Sequence, residues 1–184
     1  MGADKWSIEI GGSTFAERVV AAASSAFDRV IVVTKKGRGR FPVPVIHESN
    51  NDVAAPIIGL DCALEAAAGE PCWVLGVDYP FVTPDALSYF RERFETSDAE
   101  IVVPEIGSKL HMLCAGYRAT TAAAVKAKIA DKRYALKGLV DTHRTLIVKE
   151  VEIVGRFGRA ALLNVNTPED LDEARRLDAE ENRR

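Results

Sequence analysis

The chain has little of what several functional classes require. Its three cysteines, Cys62, Cys72 and Cys114, are odd in number and far apart. That argues against a disulfide framework or a zinc-type cluster, and their apolar surroundings suit reduced thiols in a core. Basic residues are not in excess: 24 Lys and Arg stand against 27 Asp and Glu, for a net charge of −3 and a pI near 5.7. A nucleic-acid surface would show the opposite balance, so no nucleic-acid partner is expected. No apolar run approaches the roughly 20 residues that span a bilayer. Nor does a basic-then-apolar leader open the chain, and the expected location is cytoplasmic, without a membrane partner. There is no Ser/His/Asp or Cys/His set, and Gly37-Arg38-Gly39 is not a dinucleotide G-x-G-x-x-G. Internal repeats, low-complexity segments and Gly/Ser/Pro-rich linkers are also missing. Residues 1–184 are therefore expected to form one domain, with 47% hydrophobic content to fill its core.

What is there is alternation. Residues 7–10 read as extended, and Gly11-Gly12 turns the chain. Thr14-Phe15-Ala16-Glu17 is a capping box opening a helix to about Phe27, with Phe15, Val19, Ala22, Ala23 and Ala26 on one stripe. Residues 29–34 (RVIVVT) form a continuous β-branched run, the pattern of a strand covered on both faces. A basic loop, residues 35–40, precedes a shorter extended piece, 43–46. Residues 56–68 predict a helix ended by Gly69, and 71–77 a second buried strand. Thr83-Pro84-Asp85 caps a helix to about Phe94. Residues 100–104 and 112–117 read as strands that pair antiparallel around Gly107-Ser108. A helix over 121–130, a strand over 145–154 and a helix capped by Thr167 complete the reading. The fold class expected is α/β, a Rossmann-like, mostly parallel sheet with helices on both faces.

In such folds ligands gather at the carboxyl ends of strands. Asp78, Glu48 and Asn164 each follow an expected strand and belong on one rim. Asp78 is not needed as a helix cap, because Thr83 serves the next helix. A free carboxylate there suits Mg²⁺, which keeps waters and binds one or two carboxylates plus substrate phosphates. Glu48 either reads a base by accepting two hydrogen bonds or is a solvated loop acid. Asn164 and Asn166 flank Val165 and point the same way on an extended segment. Paired amides suit a polar ligand; for Asn166 an Asx turn before Thr167 is the other reading. Lys35, Lys36, Arg38 and Arg40 are a solvated loop before they are a phosphate funnel.

Three stretches together carry a resemblance. Met1-Gly2-Ala3-Asp4-Lys5, Gly76-Val77-Asp78-Tyr79-Pro80-Phe81 and 163–171 (LNVNTPEDL) resemble, in this order, the molybdenum cofactor guanylyltransferases, the MobA type of nucleotidyltransferase. That family opens with L-A-G-G-x-S-x-R-M-G-x-D-K. The resemblance implies transfer of GMP from GTP to a molybdopterin-type cofactor, in a monomer or weak homo-oligomer. Lys5 would meet the triphosphate, Asp78 would hold Mg²⁺ within the D-x-P-F box, and Glu48 would pair with guanine. Asn164, Asn166 and His111 would face the pterin. Residues 55–59 (APIIG) resemble the family's G-P-L-A-G, with alanine for its first glycine, and Met112 stands where the family often has proline after the histidine. A non-catalytic binding protein of the same fold, or an enzyme using CTP or a sugar phosphate, are the alternatives.

The family's first strand and glycine-rich loop would precede Met1, which implies either a longer natural protein or a degenerate relative. That strand would lie between residues 29–34 and 72–77. The expectation is then a vacancy, direct pairing of those two strands, or a neighbour in the gap.

Overall fold

The structure, a computed structural model, describes residues 5–35, 40–48 and 53–181. A 3-10 turn, Lys5–Ser7, leads into a hairpin of β1 (Glu9–Ile10) and β2 (Ser13–Thr14). Gly11 and Gly12 make its turn with φ of +58° and +81°, where a side chain would be strained. Helix α1 (Phe15–Ala26) opens on the expected capping box. Glu17 N–H donates to Thr14 Oγ1 at 3.2 Å, and Glu17 Oε2 accepts from Thr14 N–H at 2.7 Å.

Next come β3 (Val32–Thr34), β4 (Val45–His47), α2 (Pro56–Ala67) and β5 (Cys72–Leu75). Then follow α3 (Pro84–Glu95), β6 (Ile101–Ile106), β7 (Lys109–Leu110), β8 (Cys114–Tyr117), α4 (Ala122–Ala130), β9 (Thr145–Val148), α5 (Glu150–Phe157) and α6 (Pro168–Glu181). The main sheet runs β5-β8-β6-β9, with β7 folded back on β6. β5, β6 and β9 share one direction, and β8 is reversed between β5 and β6. Alternation along β6 separates two cores. Val102 packs with Leu87, Phe90 and Phe94 of α3 and Ile153 of α5, whereas Ile101 and Val103 face Ile57 and Leu60 of α2 and Val125 of α4. The sheet is thus covered on both faces, as the sequence implied.

Three expected segments differ. Residues 145–154 are strand only to Val148. Lys149 N–H is then taken by Glu152 Oε1 at 3.3 Å, and α5 begins, burying Ile153 and leaving Val151 79% exposed. Of residues 29–34 only Val32–Thr34 form a strand, half-buried because a single neighbour, β4, pairs with it. Residues 7–10 are extended only at the last two positions, since Ile8 N–H closes onto Lys5 O at 3.2 Å.

β3 and β4 form a separate parallel pair. Helix α2 packs on both β3 and β5, yet these two strands exchange no ladder hydrogen bonds. Among the described residues no strand stands between them, and β1 pairs with β2 alone. The two strands are thus not paired directly.

Candidate functional site

β5 delivers Asp78 through a constrained turn. Gly76 N–H donates to Leu113 O at 2.6 Å, continuing the β5–β8 ladder by one pair. A Cβ on Gly76 would collide with the Asp78 carboxylate and press on Leu113 at 3.3 Å. Glycine here is what lets the carboxylate fold back over its own backbone. The Asp78 carbonyl accepts from Val165 N–H at 2.9 Å, tying the segment Asn164–Asn166 to it. That segment follows a 3-10 turn, Arg159–Leu162, and not a strand as expected. Its far side is held by the cap of α6, where Asp170 accepts from the N–H groups of Asn166 and Thr167 at 2.9 and 2.8 Å. These bonds lower the Asp170 pKa.

Lys5 arrives from the other end of the chain. Phe15 N–H donates to Ile8 O at 2.8 Å, and Ile10 and Phe15 pack with Phe81, Val165 and Ala174. This cluster seats the N-terminal hairpin against the loops carrying Asp78 and Asn164. Lys5 Nζ lies 3.9 Å from Asp78 Oδ2 and donates to Asn166 Oδ1, while Asn166 Nδ2 donates to Asn164 Oδ1. Asn164 opposes the rise of the Asp78 pKa. Four residues singled out in sequence, Lys5, Asp78, Asn164 and Asn166, therefore form one connected group. Residues 1–4 of the opening motif lie outside the described residues, as do 36–39 of the basic loop.

Burial raises the Asp78 pKa, opposed first by Lys5 and further by Asn164 and Lys109. Lys109, exposed in β7, acts on Asp78, His111 and Asp170 alike, a second cation that the motifs do not mark. His111 is 5% exposed, not a solvent-facing loop residue, and burial brings its pKa down to about 4. Its Nδ1 lies 3.1 Å from the Tyr79 hydroxyl, another residue the motif reading passed over. Glu48 stands apart, half-buried over the first turn of α2, where a Cβ on Gly59 would meet it at 3.8 Å. Ala55 precedes that helix at φ −136° and ψ 136°, ordinary extended backbone that needs no glycine. All three cysteines are free, with Cys62 and Cys114 buried and Cys72 half-buried.

Among the described residues no set of three or more His, Cys, Asp or Glu side chains is placed to cage a metal. The largely buried Asp78 carboxylate instead fits a cation that keeps waters and takes phosphate oxygens from a substrate. No described helix is long and apolar enough to cross a membrane.

A family model described as the MobA-like NTP transferase domain matches residues 1–153. The chain is 34% identical over 173 residues to a probable molybdenum cofactor guanylyltransferase of Aquifex aeolicus, covering 92% of this chain and 81% of that protein. Among solved structures, the molybdopterin-guanine dinucleotide biosynthesis protein A of Archaeoglobus fulgidus matches with a TM-score of 0.84 at 20% identity, over 97% of this chain and 92% of that one. A Mycobacterium tuberculosis protein solved in complex with manganese matches with a TM-score of 0.61 at 17% identity, over 94% of this chain and 91% of its own. At these identities the two structures speak for the fold alone.

Proposed function

Since the chain belongs to the MobA-like NTP transferase family, we propose that it transfers GMP from GTP to a molybdopterin-type cofactor with release of pyrophosphate. The observation that carries this reading is the Lys5–Asp78 pair, joined to Asn164 and Asn166 by a continuous run of hydrogen bonds. An oxygen of the acceptor's terminal phosphate attacks the α-phosphorus of GTP. The bond to the β-phosphate bridging oxygen breaks, and the electron pair leaves on pyrophosphate. No protein nucleophile is required, so catalysis is positioning and charge stabilisation.

Lys5 offsets negative charge on the triphosphate as the leaving group separates. Asp78 would hold Mg²⁺, which when bound neutralises phosphate charge. Glu48, beside the first turn of α2, accepts from the N1–H and exocyclic amine of guanine. Asn164 and Asn166 present the amide surface for the pterin side, and His111 supports that side from behind Tyr79. In this reading the protein acts in the cytoplasm on these two small-molecule partners, as a monomer or weak homo-oligomer.

The test is pyrophosphate release from GTP with molybdopterin and Mg²⁺. Asp78→Asn should lower kcat by about 100-fold or more, the scale of losing a preorganised charge at the reacting phosphates. Unchanged release in that variant would overturn the assignment.

A further inference from the structure

Arg18 and Asp178 form an ion pair outside the group around Asp78, joining α1 to α6. Both are largely covered, with side chains 22% and 11% exposed. The Arg18 nitrogen that donates to Asp178 Oδ1, Nη2, also donates to Ile10 O at 2.8 Å. The guanidinium carbon lies 5.7 Å from the centre of the Phe81 ring. One side chain thus gathers the β1–β2 turn, α6 and the last residue of Asp78-Tyr79-Pro80-Phe81. Gly11 closes the turn down on the pair. A Cβ there would collide with the Asp178 carboxylate and stand 2.8 Å from Arg18 Nη2, at a φ of +58° that already favours glycine.

The position of the pair along α6 relates it to Lys5. In the first turn of that helix Asp170 accepts from Asn166 N–H, and Asn166 accepts from Lys5. Asp178 lies further down the same helix, about 12 Å along its axis from Asp170. The N-terminal segment is therefore pinned beside one helix at both ends, by Lys5 and by the Ile10–Gly11 turn. Between them Ile10 shares an apolar cluster with Ala174. Helix α6 lies beyond the family match, which ends at residue 153. A covered ion pair adds little net stability, because desolvation offsets the attraction; its use here is to hold one arrangement.

We infer that Arg18 and Asp178 are positioning residues that fix Lys5 through the N-terminal hairpin. They act through the backbone of residues 5–10, and their kinetic consequence rests on the proposed GMP transfer. Lys5 offsets charge that grows as pyrophosphate leaves, so misplacing it falls on kcat more than on GTP binding.

Two measurements on the whole chain test it. Hydrogen exchange needs no turnover. Asp178→Ala should speed exchange of the Phe15 amide, which donates to Ile8 O, by about tenfold, while the β6–β9 ladder stays as in the parent. In steady state Asp178→Ala should lower kcat by about tenfold, with the KM for GTP within about threefold, as for a displaced contacting group. Asp178→Asn, which keeps an acceptor for Arg18, should retain most of kcat. In a Lys5→Ala background Asp178→Ala should cost no more than about twofold further, because the residue it positions is gone. Rates are compared per folded molecule. Arg18→Met, which keeps an apolar stem over Phe81, carries the same expectations should Asp178→Ala not fold. An unchanged Phe15 amide would overturn the clamp whatever the activity. Equal kcat losses in Asp178→Asn and Asp178→Ala, or an undiminished loss in the Lys5→Ala background, would also overturn it. Faster Phe15 exchange in the variant, beside a parent that transfers no GMP, would uphold the clamp and sink the proposed function instead.

Discussion

Asp78 keeps 14% of its side chain exposed, and burial holds its carboxyl above the ordinary value of 3.8. A folded-state pKa above the unfolded one means the folded chain binds that proton more tightly. The resulting stability is fully present below the unfolded pKa and is lost as pH rises through the folded one. At neutral pH the ionised carboxylate is therefore a net cost to folding, and Asp78→Asn should raise the melting temperature. The gain should shrink as the pH drops below about 4, near the reference aspartate value. Calorimetry across that range checks it, and a lowered melting temperature at pH 7 would contradict it. Gly76→Ala should do the opposite, costing on the order of 1–3 kcal/mol by overpacking against Leu113 and the carboxylate. Lys5, Asp78, Asn164 and Asn166 were legible in sequence because their motifs sit at turns with fixed neighbours. Tyr79, Gly76 and Lys109 were not. Tyr79 fills a variable motif position, Gly76 matters only through a close approach, and Lys109 gains its place from a hairpin whose register the sequence leaves open.

Helix ends were the most readable elements, since a cap is a local hydrogen bond whose donor and acceptor lie within three residues. Thr14 and Thr83 both cap as expected, Thr83 accepting from Ala86 N–H at 3.2 Å. Thr14→Ala should cost about 1 kcal/mol in urea unfolding. The strand expected over 145–154 failed for a reason that is also physical. Val148, Val151, Ile153 and Val154 look like a β-branched strand, and nothing in that composition announces that Glu152 will take the Lys149 amide and start α5. The consequence is measurable at two neighbouring apolar residues. Ile153→Ala should cost about 2–5 kcal/mol because it empties a core site packed against α3. Val151→Ala, on the exposed face, should stay within about 0.5 kcal/mol.

At the scale of the molecule, the two-faced sheet was legible from alternation, whereas strand order was not, because ladder partners are chosen by packing far along the chain. The reversed β8 follows from the Gly107-Ser108 hairpin and was anticipated; β3 and β4 pair apart from the main sheet. Parity along the strands says which backbone groups no ladder partner takes up. Val32 N–H donates to Pro44 O and Thr34 O accepts from Glu48 N–H, so Val33 points its amide away from β4. Gly76 bonds to Leu113, so Gly76, Val74 and Cys72 face β8, and the amides of Trp73 and Leu75 face away from it. Unpaired edges of this kind template association. Sedimentation should show self-association rising with concentration, and Val33→Pro, which removes a donor on the free edge, should weaken it. For dilute protein the same parity becomes a rhythm in time. Deuterium should enter the amides of Trp73 and Leu75 quickly while Val74 between them stays protected, and any strand that pairs with that edge would erase that alternation before it changed any other signal.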